Sequence, residues 1–395
     1  VKIAIQTTVP ASLYTFFRGQ LTWLKSHDFE VHTISAPGEE LQWVAEAEKV
    51  TTHAVAMTRS FSPLRDPLAL WSLIRLYRKS RFTVVHSFTP KGGLLGMLAA
   101  AAAGCPVRLF TLWGMAPTAI NFRTRMRVWA NKVSCALAHK IFIECPSTAE
   151  LAVASGLCSR EKVVVVPAWS TNTLDSKLVD LSDLAETRAA ARHDWGLPPE
   201  SVVIGFVGRV VRDKGVHELM KAFENLASEF PELHLLVVGV REAEDPVGQD
   251  ILRRMDQHPR ICCTGFQKNV KKSLSAMDIL VHPSYREGLP TAPLEASARG
   301  LPVIVTRIPG CIDAVQEGVT GLLVEPRDAP GLAEAIRYYL KNPDVRQQHG
   351  RNGRGWVLKK YDREVAWMAL LNEYQKILAE RGIFPLSARA GDPQT

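Results

Sequence analysis

The chain has 395 residues, is 46% hydrophobic and 22% charged, and carries a formal net charge of +8. That length holds two or three domains, and the composition excludes a disordered chain, a collagen and a coiled-coil rod. The longest apolar run, residues 92–104, has thirteen residues, fewer than the roughly 20 needed to span a bilayer.

Val1-Lys2-Ile3-Ala4-Ile5 reads as a strand, with no basic and apolar secretory signal ahead of it. Short apolar runs then alternate with amphipathic stretches. Strands are predicted at 2–6, 29–34, 82–87, 108–112, 140–144 and 162–167, with helices such as 68–79, 120–140 and 148–155. Many of these strands are β-branched and apolar on both faces, as parallel strands between two helix layers should be. From 168 to 199 the alternation lapses into Ser, Thr, Asn, Asp and Pro, so 169–200 reads as a linker merging into a short helix. A second series follows, with strands at 202–207, 234–240, 260–264, 278–282, 302–306 and 321–324. Helices are predicted between them at 216–229, 246–256, 270–276 and 293–298, then at 330–341 and 362–381. The tail, 385–395, is expected to be disordered. Repeated βα alternation predicts an α/β fold of two Rossmann-like domains, 1–168 and 201–360, facing across a cleft. Ligands of such sheets sit beyond the carboxyl ends of the strands, so functional residues are sought just after each strand.

Charge is unevenly spread. Residues 1–168 hold 19 Lys+Arg and 10 Asp+Glu, a net of +9, and the remainder nets −1. Between Asp66 and Glu144 there are eleven bases and no acid. No nucleic-acid motif or aromatic stacking platform accompanies them, which leaves an anionic membrane surface or a phosphorylated substrate. Within 120–140, Phe122, Met126, Trp129, Val133 and Leu137 recur at helical spacing, with Arg123, Arg125, Arg127 and Lys132 mostly off that face. Two readings stand: a core helix with a solvated basic side, or contact with anionic lipid. The seven cysteines form no CxxC pair, so reduced thiols are expected and neither zinc nor a disulfide framework is.

After the strand at 202–207 comes Gly208-Arg209-Val210-Val211-Arg212-Asp213-Lys214-Gly215. Two cations flank a loop that enters a helix, physically a phosphate site or a solvated turn with incidental charges. After the strand at 278–282, Glu287 lies in a Gly/Pro loop and Glu295 in the first turn of the predicted helix. The amides of Gly288, Leu289 and Thr291 are expected to point at an anion, helped by the helix dipole. Glu295 alone also fits dipole complementation, and Glu287 a solvated loop acid.

Taken together, Gly208-Arg209-x4-Lys214-Gly215, Glu287-x7-Glu295, Gly310-x2-Asp313 and Gly318-x2-Gly321-x2-Val324 resemble the donor domain of glycosyltransferase family 4. This retaining family has the B-type fold of two Rossmann-like domains. The resemblance implies that Arg209 and Lys214 neutralise the diphosphate of a nucleotide sugar, with a UDP-sugar as the expected donor. It implies Glu295 on the ribose hydroxyls and Glu287 on the donor sugar near the reacting carbon. Amides of Gly288, Leu289 and Thr291 would meet phosphate, and Gly265 and Phe266 would lie near the base. The last helix, 361–384, would cross back to the first domain. No metal or cofactor is implied, and no Asp-x-Asp motif is present.

The first domain resembles more weakly the bacterial members that build surface polysaccharides on a polyprenyl-diphosphate carrier. The segments are His86-Ser87-Phe88-Thr89-Pro90-Lys91-Gly92-Gly93 and Thr111-Leu112-Trp113-Gly114-Met115. Lys91 reads as a second anion site at a glycine-rich helix start. His86 reads equally as a hydrogen-bonded strand-end histidine or a functional one, and Trp113 receives no catalytic role. Thr7-Thr8-Val9-Pro10-Ala11-Ser12 replaces the Gly-Gly loop common after the first strand of the family. The implied activity is a retaining hexosyl or N-acetylhexosaminyl transfer to a lipid-linked saccharide, cytoplasmic and peripheral at the inner membrane face. A nucleotide-sugar epimerase of the same fold and a non-catalytic nucleotide-sugar sensor are the alternatives.

Overall fold

The computed structural model describes residues 1–113, 122–166, 174, 176–242 and 245–383. The chain forms two α/β units, Val1–Asn172 with Arg363–Thr395, and Thr173–Asp362. In the first, β1 (Lys2–Gln6), β2 (Glu30–Ser35), β3 (Thr51–Ala54), β4 (Val84–Phe88), β5 (Val107–Thr111), β6 (Lys140–Ile143) and β7 (Val163–Val165) make one sheet. Its order is β3-β2-β1-β4-β5-β6-β7, parallel throughout. In the second, β8 (Val202–Val207), β9 (Leu233–Val238), β10 (Ile261–Gly265), β11 (Ile279–His282), β12 (Val303–Thr306) and β13 (Gly321–Val324) follow the order β10-β9-β8-β11-β12-β13. Strand order reverses between β1 and β4 and between β8 and β11. These are the switch points at which doubly wound sheets open a ligand crevice.

Two elements escape the sequence reading. β3 is a short edge strand of four residues, Thr-Thr-His-Ala, with no apolar run to mark it. The helix Pro343–Tyr361 carries three glycines and little apolar periodicity. It packs through Gly350 instead: a Cβ there would stand 2.1 Å from the Gly300 carbonyl oxygen. Within the stretch read as a linker merging into a short helix, Leu184–Asp194 is a helix, tied into the second unit with Arg188 and Arg192 both paired to Asp278. Residues 167–173 and 175, Gly114, Met115, residues 120 and 121 and the tail 385–395 lie outside the described residues.

The C-terminal helix Arg363–Glu380 belongs to the first unit. Ala366, Leu370, Leu371, Tyr374, Ile377 and Leu378 pack into one face of the β1–β7 sheet beside Ile3, Val84 and Leu109. His86 joins this packing. Buried in β4, it shares hydrogen bonds with Tyr374 Oη at 2.6 Å and Thr111 Oγ1 at 2.7 Å. Burial holds its pKa well below the usual histidine range. Of the two readings of His86, the structural one describes its place: a neutral histidine joining β4, β5 and the returning helix.

The glycine-rich helix Pro90–Ala102 lies on the opposite face. A Cβ on Gly93 would stand 2.2 Å from Phe110, and one on Gly96 2.2 Å from Ser87 Oγ, so these glycines serve close helix–sheet approach. The expected anion site at Lys91 is corrected. Lys91 is 4% exposed, pairs with Asp66 at 2.5 Å, and donates to Thr58 Oγ1 and the Ser60 carbonyl. Its charge is spent inside the unit. Where family members carry Gly-Gly, Thr8 Oγ1 meets Thr89 Oγ1 at 2.7 Å, tying the β1 and β4 loops together.

The helix Phe122–Leu137 also differs from expectation. Its buried positions are Ala130, Asn131, Ser134 and Cys135, whereas Phe122 and Trp129 are 76% and 51% exposed. The neighbouring Gly/Ala helix accepts a small-residue face at close range; Val128 and Leu137 pack partly against the core, and Phe122 and Trp129 turn outward. Arg125, Arg127 and Lys132 are exposed with them; the Arg123 side chain lies outside the described set. Leu68 and Trp71 on Asp66–Ser80, which also packs against the Gly/Ala helix, and Leu64 just before it are likewise exposed. No helix of the described residues is long and apolar enough to cross a membrane.

The His86–Tyr374 bond gives the returning helix a polar anchor. Tyr374→Phe removes the partner of the buried Nδ1 atom and is expected to lower unfolding free energy by about 1–3 kcal/mol. Urea denaturation of the two proteins measures it.

Candidate functional site

The candidate site lies on the loops after β8 and β11, on both sides of the second switch point. Asp213 joins them. Its carbonyl accepts from the Tyr285 amide at 2.8 Å, and its carboxylate accepts from Arg286 Nε at 2.8 Å. Close backbone approach completes the junction. Gly215, at φ +71°, would place a Cβ 2.0 Å from the Pro283 carbonyl oxygen, and Gly310, at φ +87°, one 1.7 Å from that of Gly288. Only glycine fits at either point.

This junction brings Lys214 and Glu287 together, with Nζ 2.5 Å from Oε1. His282, the last residue of β11, places Nε2 2.7 Å from the same oxygen. A carboxylate only accepts, so Nε2 carries the proton of that bond. Burial alone would raise the Glu287 pKa; the His282 hydrogen bond and the Lys214 charge outweigh it and hold the carboxyl at about 2. Glu287 is therefore an anchored anion, and the solvated-loop reading does not describe it. His282 was missed because a histidine ending an apolar strand looks like any core residue; its spacing of five from Glu287 was the available signal. Its Nδ1 is buried with no hydrogen-bond partner.

Arg209 is half exposed and pairs with Glu242 at 2.8 Å, and its charge also feels Glu287. Gly288 is half-buried and Leu289 buried, in the turn entering the helix Thr291–Ala298. Glu295 is the fifth residue of that helix and half-buried. It stands beyond the first turn, which corrects its expected placement there and weakens the dipole argument, because that effect fades within one turn.

A pocket of about 380 Å³ opens beyond β9 and β10, lined by Val210, Gly239, Val240, Arg241, Cys263 and Gly265 among others. Gly239 connects it to the first loop: its amide donates to the Gly265 carbonyl at 2.9 Å, and a Cβ on it would stand 1.8 Å from the Gly208 oxygen. Gly265 thus borders the pocket, whereas Phe266 is 73% exposed and does not line it. Gly318 and Gly321 shape the turn into β13, where the Gly318 amide meets the Gly321 carbonyl at 2.9 Å. That part of the motif is scaffold. Among the described residues no group of three or more His, Cys, Asp or Glu stands ready to hold a metal ion.

Glu287 makes stability depend on pH in a defined window. Its folded pKa lies below the unfolded value near 4.5, so the unfolded chain binds the proton first as pH falls. Its contribution is expected to be complete above about pH 5 and lost between about 4.5 and 2. In acid titration of unfolding free energy, Glu287→Gln should flatten that part of the curve.

Comparison with known proteins follows the same division. Residues 187–356 match the family described as Glycosyl transferases group 1, and residues 14–169 match the Glycosyl transferase 4-like domain. The capsular polysaccharide biosynthesis glycosyltransferase CapM of Staphylococcus aureus is 30% identical over 96% of this chain and 98% of its own. The UDP-Gal:alpha-D-GlcNAc-diphosphoundecaprenol alpha-1,3-galactosyltransferase of Escherichia coli is 26% identical over 71% of this chain and 72% of its own. Among solved structures, Anabaena Alr3699/HepE in complex with UDP superposes with a TM-score of 0.76 at 17% identity, over 95% of this chain and 100% of that one. The switch-point loops, the two parallel sheets and these matches agree: the chain belongs to the family-4-like glycosyltransferases of the B-type fold.

Proposed function

We propose that this glycosyltransferase moves a sugar, with retention, from a UDP-sugar to a hydroxyl of a lipid-linked saccharide at an anionic membrane surface. The observation that carries the donor half is the Lys214–Glu287–His282 cluster at the switch point. In this reading its cation and the half-exposed Arg209 nearby would face a diphosphate met also by the amides of Gly288, Leu289 and Thr291. The barrier to transfer lies in breaking the glycosyl–phosphate bond, which leaves growing negative charge on the departing diphosphate. Arg209, Lys214 and the helix-entry amides would stabilise that charge. Glu287, fixed as an anion, would steer the donor sugar near its reacting carbon, and Glu295 would take the ribose hydroxyls. Gly265 would border the base; Phe266, exposed outside the pocket, would meet it only at the rim. The UDP in the HepE complex and the UDP-Gal in the Escherichia coli relative's name support the choice of donor.

The acceptor half rests on the first unit and on the diphosphoundecaprenol in that relative's name. Phe122 and Trp129 stand exposed on the helix that also exposes Arg125, Arg127 and Lys132, and Leu64, Leu68 and Trp71 are exposed at and before the Asp66–Ser80 helix. Basic side chains near an anionic leaflet contribute about 1 kcal/mol each, fading within a Debye length, while inserted apolar groups resist salt. A lipid-linked acceptor would be met there.

Lys214→Ala and Arg209→Ala are each expected to cut turnover by about 100-fold or more with the fold retained. Glu295→Gln should raise the donor KM more than it lowers kcat, and Glu287→Gln should do the opposite. UDP release from a panel of UDP-sugars, with and without lipid-linked acceptor, checks these. Transfer needs the acceptor, epimerisation does not, and a sensor gives neither product. Because the diphosphate would be held by cations and amides, EDTA should leave the rate nearly unchanged; loss restored only by Mg²⁺ or Mn²⁺ would contradict the site.

Co-sedimentation with anionic vesicles should show binding that weakens steeply with salt. Reversing Arg123, Arg125, Arg127 and Lys132 to Glu should abolish it and spare UDP affinity. Absence of binding by the wild type at low salt would point to a soluble acceptor.

A further inference from the structure

The second unit holds another cavity, of about 210 Å³, at the amino ends of its strands. Met277 and Asp278 precede β11 and Leu301 and Pro302 precede β12, so it lies at the sheet edge opposite the loops of Arg209, Lys214 and Glu287. Three arginines line it, Arg188, Arg299 and Arg346, against one acid, Asp278. That acid is already saturated: its oxygens accept from Arg188 at 2.6 Å, from Arg192 at 2.8 Å and from the Val203 amide at 2.8 Å.

Arg188 also donates to the Ser275 and Met277 carbonyls at 3.1 and 2.9 Å, whereas the other two cations are under-supplied with acceptors. Arg299 is 3% exposed. It donates to the Leu178 and Asp180 carbonyls and to Ser275 Oγ, yet its Nε is buried without a hydrogen-bond partner. Arg346 Nη1 is buried and unpartnered as well, and no ion pair to Arg346 occurs among the described residues. Nearby, Asp183 is paired with Lys271, and Arg354 adds a further cation that pushes against Arg299. A buried guanidinium without acceptors is costly, and planar N–H forks match phosphate oxygens.

Size narrows the ligand. The volume equals that of roughly seven waters, below the roughly 300–1,000 Å³ of pockets for larger organic ligands. A nucleotide does not fit; a phosphate group does. We propose that this cavity binds a small phosphate-bearing anion through Arg299 and Arg346, beside the already engaged Arg188 and separately from the donor site. The position gives such binding a consequence. Arg299 holds the carbonyls of Leu178 and Asp180, and Arg346 is the fourth residue of the helix Pro343–Tyr361. An anion bridging the two arginines ties the Leu178–Asp180 segment to the start of that helix and stabilises the unit.

Thermal unfolding of the full chain tests this with inorganic phosphate, pyrophosphate and a hexose 1-phosphate, against sodium chloride at matched ionic strength. The three anions distinguish a free ion, a diphosphate and a phosphomonoester as the species that fits. At about tenfold above Kd, a saturable rise in Tm of a few degrees is expected from the one that fits. Arg346→Ala should abolish the rise, and Gln347→Glu, which sets a negative charge at the rim, should do so without touching an arginine. Lys214→Ala should keep it, which separates this cavity from the donor site whatever that site proves to bind. No saturable response in the wild type would overturn the proposal. So would a response kept in Arg346→Ala and Gln347→Glu and lost in Lys214→Ala, since the anion then sits at the donor loops.

Discussion

A carboxylate buried at the switch point of the second sheet must be compensated or protonated. Glu287 is compensated twice, by Lys214 and by His282, on the same oxygen. Uncompensated, burial would neutralise it; with both partners it stays an anion far below neutral pH. The rest of the site follows from holding these three side chains together. Asp213 stitches the two loops, Gly215 and Gly310 let their backbones touch, and Gly239 joins the pocket beyond β9 and β10 to the first loop.

The first unit answers a different constraint, the covering of both faces of a seven-stranded parallel sheet. One face is closed by the last helix of the chain, with His86 and Tyr374 as the buried polar contact in an otherwise apolar interface. The other is closed by a Gly/Ala helix that lies tight against β4 and β5. Small residues on that helix also decide which face of its neighbour is buried. The outcome is a helix that exposes Phe122 and Trp129 together with Arg125, Arg127 and Lys132.

Much of the fold was legible because parallel strands buried on both faces announce themselves as β-branched runs. β1, β8 and β13 match the sequence expectation residue for residue. Elements that pack through glycine or sit polar at an edge, Pro343–Tyr361 and β3, carry no such signal. The same physics misled the reading of Phe122–Leu137, where periodicity marked the large apolar residues and packing selected Ala130, Ser134 and Cys135. In the site, spacing along the chain found Lys214 and Glu287, but not that they would be partners. Nor could it show that Asp66, the acid bounding the basic block, would consume Lys91. Pairing across 73 residues, as in Lys214 and Glu287, is a property of topology and invisible to local pattern.

The central claim is that Lys214, placed by Glu287, grips the diphosphate of the donor. Calorimetric titration of UDP and UMP into the wild type and Lys214→Ala tests it most directly. The expected result is that UDP binds the wild type about 10-fold or more tighter than UMP, a difference of about 1.4 kcal/mol or more, and that Lys214→Ala erases the preference while UMP affinity changes little. A preference for UDP that survives intact in a folded Lys214→Ala protein would contradict the account.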